Sequence, residues 1–160
     1  MKRYIRSDTL VDLASTWINT PKYHLGPKRQ LASAEQYGDD LLQVVTTHLE
    51  AIQVLEDYLI RCGFTPWPDK RVNLLEYNGY INPEIGVDYV YPESLHLTES
   101  SNGTICIKIN KVVNDDPNRA CISTDAFIRT LQKAGFTIVY KHHSWREGYG
   151  QGLTISVASV

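Results

Sequence analysis

"ESLHLTESSNGTICIKINKV", residues 93–112, holds the pattern on which the fold turns. Ile105, Ile107 and Ile109 alternate with Cys106, Lys108 and Asn110, the period-two mark of a strand with one buried face. Asn102 and Gly103 supply turn chemistry between this strand and "ESLHL". A two-residue loop would set Leu97 opposite Lys108 and send the leucines to the wrong face. A three-residue loop, Ser101-Asn102-Gly103, sets Leu97 opposite Ile107 and Leu95 opposite Ile109. A slip of one residue inverts every side chain, so the second register is expected. The fold therefore contains an antiparallel hairpin.

Helical patterns flank it. "SDTLVDLASTWIN" (7–19) offers Ser7 or Asp8 as a cap and sets Leu10, Leu13, Ala14 and Trp17 on one face. In 33–63, Leu42, Val45, Leu49, Ile52, Leu55 and Leu59 run down one side, while Gln43, Glu50, Asp57 and Arg61 lie elsewhere. Ser33 with Gln36 resembles a capping box, and Gly38-Asp39 is expected to split off the first turn. "STDAFIRTLQKAG" (123–135) carries Phe127, Ile128 and Leu131 as a stripe behind a Ser123 or Thr124 cap. "LIRCGFT" (59–65) and "LQKAGFT" (131–137) share one stop signal: glycine in the left-handed region, then an extended segment. Pro66, Pro68, Pro83 and Pro92 limit any strands in 64–97 to short or edge ones. "FTIVYKHH" and "GLTISVAS" read as two final strands.

The expected class is α+β: two N-terminal helices, then a mostly antiparallel sheet of four to five strands with one packed helix. One domain over 1–160 is expected, with a helical part at 1–63 and the sheet with helix 123–135 at 64–160. The 160 residues, 42% hydrophobic and 21% charged, are enough for a core without staples. A net charge of −2 and a pI near 6.2 leave no global basic field for nonspecific nucleic-acid binding. No apolar run approaches the roughly 18 residues of a membrane span, and no signal peptide is expected. Cys62, Cys106 and Cys121 are odd in number and form no Cys-x-x-Cys pair, which fits reduced thiols and a cytoplasmic location.

"YKHHSWREGYGQG" (140–152) gathers two histidines, a tryptophan, an arginine, a glutamate and three glycines. If Phe136, Ile138 and Tyr140 face the core, His142 does too, and His143 goes with Val139 and Lys141 to the other side. Adjacent histidines on opposite faces cannot ligate one metal, so no metal and no cofactor are expected. Gly148, Gly150 and Gly152 precede a strand rather than a helix, so they form no phosphate cradle. Cys106, out of phase with the isoleucines, is expected on the outer face of the sheet. No nucleophile elbow and no His-Glu-x-x-His occurs, and no catalytic residue is assigned.

Between Arg71 and Lys108 there is no lysine or arginine, but Glu76, Tyr77, Tyr80, Glu84, Asp88, Tyr89, Tyr91, Glu93 and Glu99 fall there. Tyrosine gives contact area at low entropic cost, and carboxylates steer a basic partner. Small size, no catalytic motif and this segment together fit a non-enzymatic binding protein. It would dock on the basic surface of another protein, as an inhibitor or as an accessory protein of the phage or mobile-element kind. The expected contact residues are Tyr77, Tyr80, Glu84, Asp88, Tyr89, Tyr91 and Glu93, joined by Trp145, Arg146 and Tyr149 at the last turn. The alternative is a nucleic-acid-binding accessory protein using Lys22, Lys28 and Arg29 of the 20–30 loop with the 143–149 tip. A small hydrolase or transferase with an unrecognised site is third. No membrane partner is expected, and the chain is read as a monomer or a homodimer joined through 39–62, where Val45, Ile52 and Leu59 make a heptad-like seam.

Overall fold

The computed structural model describes residues 7–20, 34–66, 78–81, 93–99, 104–111, 124–146 and 150–159. Three α-helices are present among them: α1 (Ser7–Asn19), α2 (Leu41–Arg61) and α3 (Thr124–Lys133). The strands are β1 (Thr65–Pro66), β2 (Asn78–Ile81), β3 (Glu93–Glu99), β4 (Ile105–Lys111), β5 (Phe136–Arg146) and β6 (Gly150–Ser159). They form one antiparallel sheet in the order β1-β2-β3-β4-β6-β5. The α+β class expected from the sequence is what is observed. The element count differs. Among the described residues the sheet has six strands rather than four or five. A helical stretch at 34–37 and a 3-10 turn, Gly38–Asp40, stand between α1 and α2, so the N-terminal part is more than two helices.

The hairpin register is the one the alternation demanded. Leu95 pairs with Ile109 and Leu97 with Ile107 across β3 and β4. Ile105, Ile107 and Ile109 are fully buried, and Lys108 between them is exposed. Cys106 points away from the isoleucines by alternation, yet it is also fully buried, with its thiol donating to the Thr104 carbonyl at 3.6 Å. Cys106 is on the face opposite the isoleucines, as the alternation requires, and that face is covered there. The predicted loop residues 101–103 lie outside the described residues.

Helix α2 lies over β3, β4 and β6, and α1 packs against α2. Leu10, Ala14 and Trp17 of α1, at helical spacing, are buried against it. Val45, Leu49, Ile52, Leu55 and Leu59 of α2 are fully buried. Each such side chain contributes about 1.5–3 kcal/mol when taken from water. Leu42 departs from the expected stripe at 37% exposed, and Leu41 is buried in its place. Leu42 shares the angular position of Leu49, but in the first turn burial depends on what lies above the helix end and not on phase. Val45, Ile52 and Leu59 are spent inside the protein's own core. They are not available as a dimer seam, which removes the physical basis for a homodimer through 39–62.

The shared stop signal works as its glycines require. After α2, Gly63 has φ 90°, its N–H donates to the Ile60 carbonyl, and the Phe64 N–H donates to Leu59. This is the paired bond pattern of a Schellman motif, with Phe64 and Leu59 both buried. After α3, Gly135 has φ 101° and donates to Gln132. Phe127, Ile128 and Leu131 of α3 are buried as expected, and the Phe127 ring meets Tyr58 of α2 at 6.0 Å. β4 and β5 both run antiparallel to β6, hence parallel to each other, and α3 lies in the connection between them. Parallel strands need such a crossover. The short β1 sits at one edge of the sheet with Pro66 in it, where a missing N–H is tolerated.

Ile52→Ala should lower the free energy of unfolding by about 2–5 kcal/mol through cavity formation. Gln43→Ala, at an exposed position on the same helix, should change it by less than about 0.5 kcal/mol. Urea unfolding curves for the two variants measure the difference, and equal midpoints would contradict the assigned face.

Candidate functional site at the open end of the sheet

The pairing of β4 with β6 runs from Lys111↔Gln151 to Ile107↔Ile155 and stops. Continued by two more residues, it would set Ile105 opposite Val157. Instead each of these two backbone N–H groups goes to a side chain. The Ile105 N–H donates to the Tyr37 hydroxyl at 3.3 Å. The Val157 N–H donates to His48 Nε2 at 3.1 Å. Tyr37 comes from the helical stretch before the 3-10 turn, and His48 from α2. A buried backbone donor left without an acceptor is costly, so the strands can part only where such acceptors are supplied.

The hydrogen bonds of His48 fix its tautomer. A carbonyl only accepts, so Nδ1, 2.8 Å from the Val44 carbonyl, carries the proton and donates it. Nε2 is then the acceptor for Val157. His48 is fully buried, and loss of solvation pushes it down to about 4, while its bond to Val44 acts the other way. The imidazole is therefore neutral at pH 7.

Strand β5 contributes the second irregularity. Its pairing with β6 shifts between Ile138↔Val157 and Tyr140↔Ser156, leaving Val139 as an extra residue. Up to Ile138 the strand keeps the expected faces, and Phe136 and Ile138 pack partly buried on the core. Beyond the bulge the faces exchange. Lys141 and His143 now stand opposite Ile155 and Leu153, while Tyr140 and His142 stand opposite Ser156 and Thr154. The expectation that Tyr140 and His142 face the core is thus overturned by one inserted residue. Both are exposed. The two histidines still occupy opposite faces, and His143 Nδ1 lies 3.3 Å from Thr124 Oγ1 at the start of α3. Among the described residues no group of three His, Cys, Asp or Glu side chains is placed to hold a metal ion. No helix of the described residues is long and apolar enough to cross a membrane.

Around His48 the parted strands leave a cavity of about 500 Å³, bounded by Tyr37, Val44, His48, Val139, Tyr140 and Val157 among others. Ser156 Oγ is 3.3 Å from His48 Nε2, an arrangement that invites comparison with a serine–histidine pair. Three observations argue against that chemistry. The single in-plane lone pair of Nε2 already accepts the Val157 N–H. Nδ1 is oriented by a carbonyl rather than a carboxylate. Burial has removed most of the ring's basicity. The hydroxyl–imidazole pair of Thr124 and His143 likewise has no carboxylate behind its ring among the described residues.

A second groove, about 680 Å³, runs between α2 and α3 and exposes Arg61, Arg129 and Lys133 beside Asp57. Arg61 and Lys133 lie in the last turns of their helices, where a cation complements the helix dipole. That role accounts for them without a ligand.

Of the contact residues expected from sequence, Tyr80 in β2 and Glu93 in β3 are brought together as cross-strand partners. Trp145 and Arg146 end β5, paired with Gln151 and Gly150. Tyr77, Glu84, Asp88, Tyr89, Tyr91 and Tyr149 lie outside the described residues, as do the basic residues of the 20–30 loop. His48 and Tyr37 were not singled out, since a histidine in an amphipathic helix reads as polar surface. Comparison with known proteins gave no match: no family model, no curated protein and no solved structure resembles the chain.

Between pH 6.5 and about 4 the unfolded chain binds a proton at His48 that the folded chain does not. Stability contributed by the neutral ring is complete above pH 6.5 and is lost as pH falls through that window, by roughly 3 kcal/mol in all. His48→Gln keeps a side-chain acceptor but cannot titrate. Urea unfolding at pH 7 and pH 4.5 should show a smaller loss for His48→Gln than for the parent chain, and equal losses would contradict the assignment.

Proposed function

We propose that this chain is a non-enzymatic binding protein that acts on another macromolecule, and that its contact element is the open edge at β5. The observation that carries the reading is the exposure of Val139 and Tyr140, at 59% and 46%, on a strand with no neighbour on its outer side among the described residues. An unpaired edge offers main-chain donors and acceptors to an added strand, and apolar side chains beside it supply specificity. The residues of β5 include Lys141, His142, His143 and Arg146 and no aspartate or glutamate. An acidic, extended polypeptide segment is the partner this composition fits. The bulge at Val139 and the charge of Lys141 are the usual guards against indiscriminate edge pairing. They do not explain why two large apolar side chains stand exposed there.

The acidic tyrosine-rich segment 76–99 is proposed as a second contact, toward a basic protein surface, supported by the side-by-side placement of Tyr80 and Glu93. An inhibitory role and a cytoplasmic location belong to the same proposal.

A photoreactive side chain at position 139 tests the edge. In cell extract it should give a discrete cross-linked product that a probe at Asp12, exposed on α1, does not. Tyr140→Lys should reduce the yield at least tenfold if the edge is the contact. The pair Asp88→Lys and Glu93→Lys should leave it unchanged and should instead weaken any complex made through the acidic segment. The same products from positions 139 and 12 would exclude β5 as the docking element.

A further inference from the structure

We infer that the cavity between the parted ends of β4 and β6 is a binding site for an uncharged small molecule with a flat ring and a hydrogen-bond acceptor. Its size, about 500 Å³, falls within the roughly 300–1,000 Å³ of small-molecule sites. Among the described residues no aspartate, glutamate, lysine or arginine lines it. The imidazole on its wall, His48, is neutral, with both nitrogens already bonded inside the protein. A charged ligand would give up part of its hydration against Val44, His48 and Val157 and meet no countercharge among the described residues, which is unfavourable. A neutral one would not.

The shape of the lining narrows the class. Val44, Val139 and Val157 supply apolar wall, and the rings of Tyr37 and Tyr140 suit a flat partner. The Tyr37 hydroxyl accepts the Ile105 N–H and keeps its own proton for donation. A carbonyl or ether oxygen on the ligand would receive it. The wall is preformed: the Ile105 and Val157 N–H groups are held by side chains rather than by each other, so the strands need not separate to admit a guest. Binding at this place does not depend on strand addition at β5, although Val139 and Tyr140 border both features.

Coumarin, a neutral bicyclic ring with a carbonyl, and coumarin-3-carboxylate, its anionic counterpart at pH 7, are suitable probes. The backbone amide signals of Ile105 and Val157 in a two-dimensional NMR titration are the readout. Coumarin should shift both signals in a saturable way, and the carboxylate should bind at least tenfold more weakly. Ala158→Phe, which sets a ring at the cavity wall, should abolish the shifts. Tyr37→Phe, which removes one hydroxyl and no ring, should weaken coumarin binding about fivefold to tenfold and serves if Ala158→Phe does not fold. Absence of saturable shifts at millimolar coumarin, equal binding of the carboxylate, or unchanged affinity in Tyr37→Phe would each overturn the assignment.

Discussion

Two backbone N–H groups, those of Ile105 and Val157, set the terms for the open end of this sheet. Both residues are buried, and a ladder pairing them would satisfy the donors without help. The chain supplies instead a phenol from before α2 and an imidazole from within it. Each acceptor makes its own demand. His48 must stay neutral to accept at Nε2, and its burial ensures that. Tyr37 must reach over the sheet, which the 3-10 turn and the positive φ of Gly38 allow by redirecting the chain just before α2 begins. The neutral imidazole beside the cavity, and the loss of stability expected as acid protonates it, both follow from how these two donors are satisfied.

The long apolar stripes were legible because each is periodic and local. Three isoleucines at spacing two, a loop of three residues and leucines at spacing two permit only one register that buries all of them. Leu49 to Leu59 and Phe127 to Leu131 obey the helical period over enough turns to fix the buried face. Gly63 and Gly135 could be placed because a left-handed stop has a strong residue preference. β1 and β2 are too short to alternate detectably, so only their brevity and edge character could be inferred from the prolines.

What could not be read is equally physical. The bulge at Val139 carries no glycine or proline, and a β-branched residue there reads as continuing strand. Only pairing with β6 reveals that one residue is surplus. Parity then fails for every residue beyond it, which is why Tyr140 and His142 were placed on the wrong face while Phe136 and Ile138 were placed correctly. His48 was missed for a different reason. Whether a histidine on an amphipathic helix meets water or a parted sheet is decided by a segment more than one hundred residues away, since its contacts are Ser156 and Val157. Cys106 shows the same dependence: alternation sets its direction, while its burial is decided by what covers the other side of the sheet.

The bulge also decides what kind of edge β5 can be. Without it, the earlier register would continue, placing Tyr140 opposite Ile155 and His142 opposite Leu153 on the face that carries α3. Lys141 would then face outward from the opposite side. With it, the helix-bearing face of β5 past Ile138 receives Lys141 and His143, whose polar ends reach solvent at the margin of the sheet. The tyrosine is released to the other side, beside the cavity. A regular strand would have been a smoother template for pairing with any other strand. The bulged one interrupts that template and leaves apolar surface exposed at Val139 and Tyr140. Apolar exposure at the interruption would favour a partner that matches it over one that merely extends the sheet, and that selectivity is what the proposed docking at β5 requires.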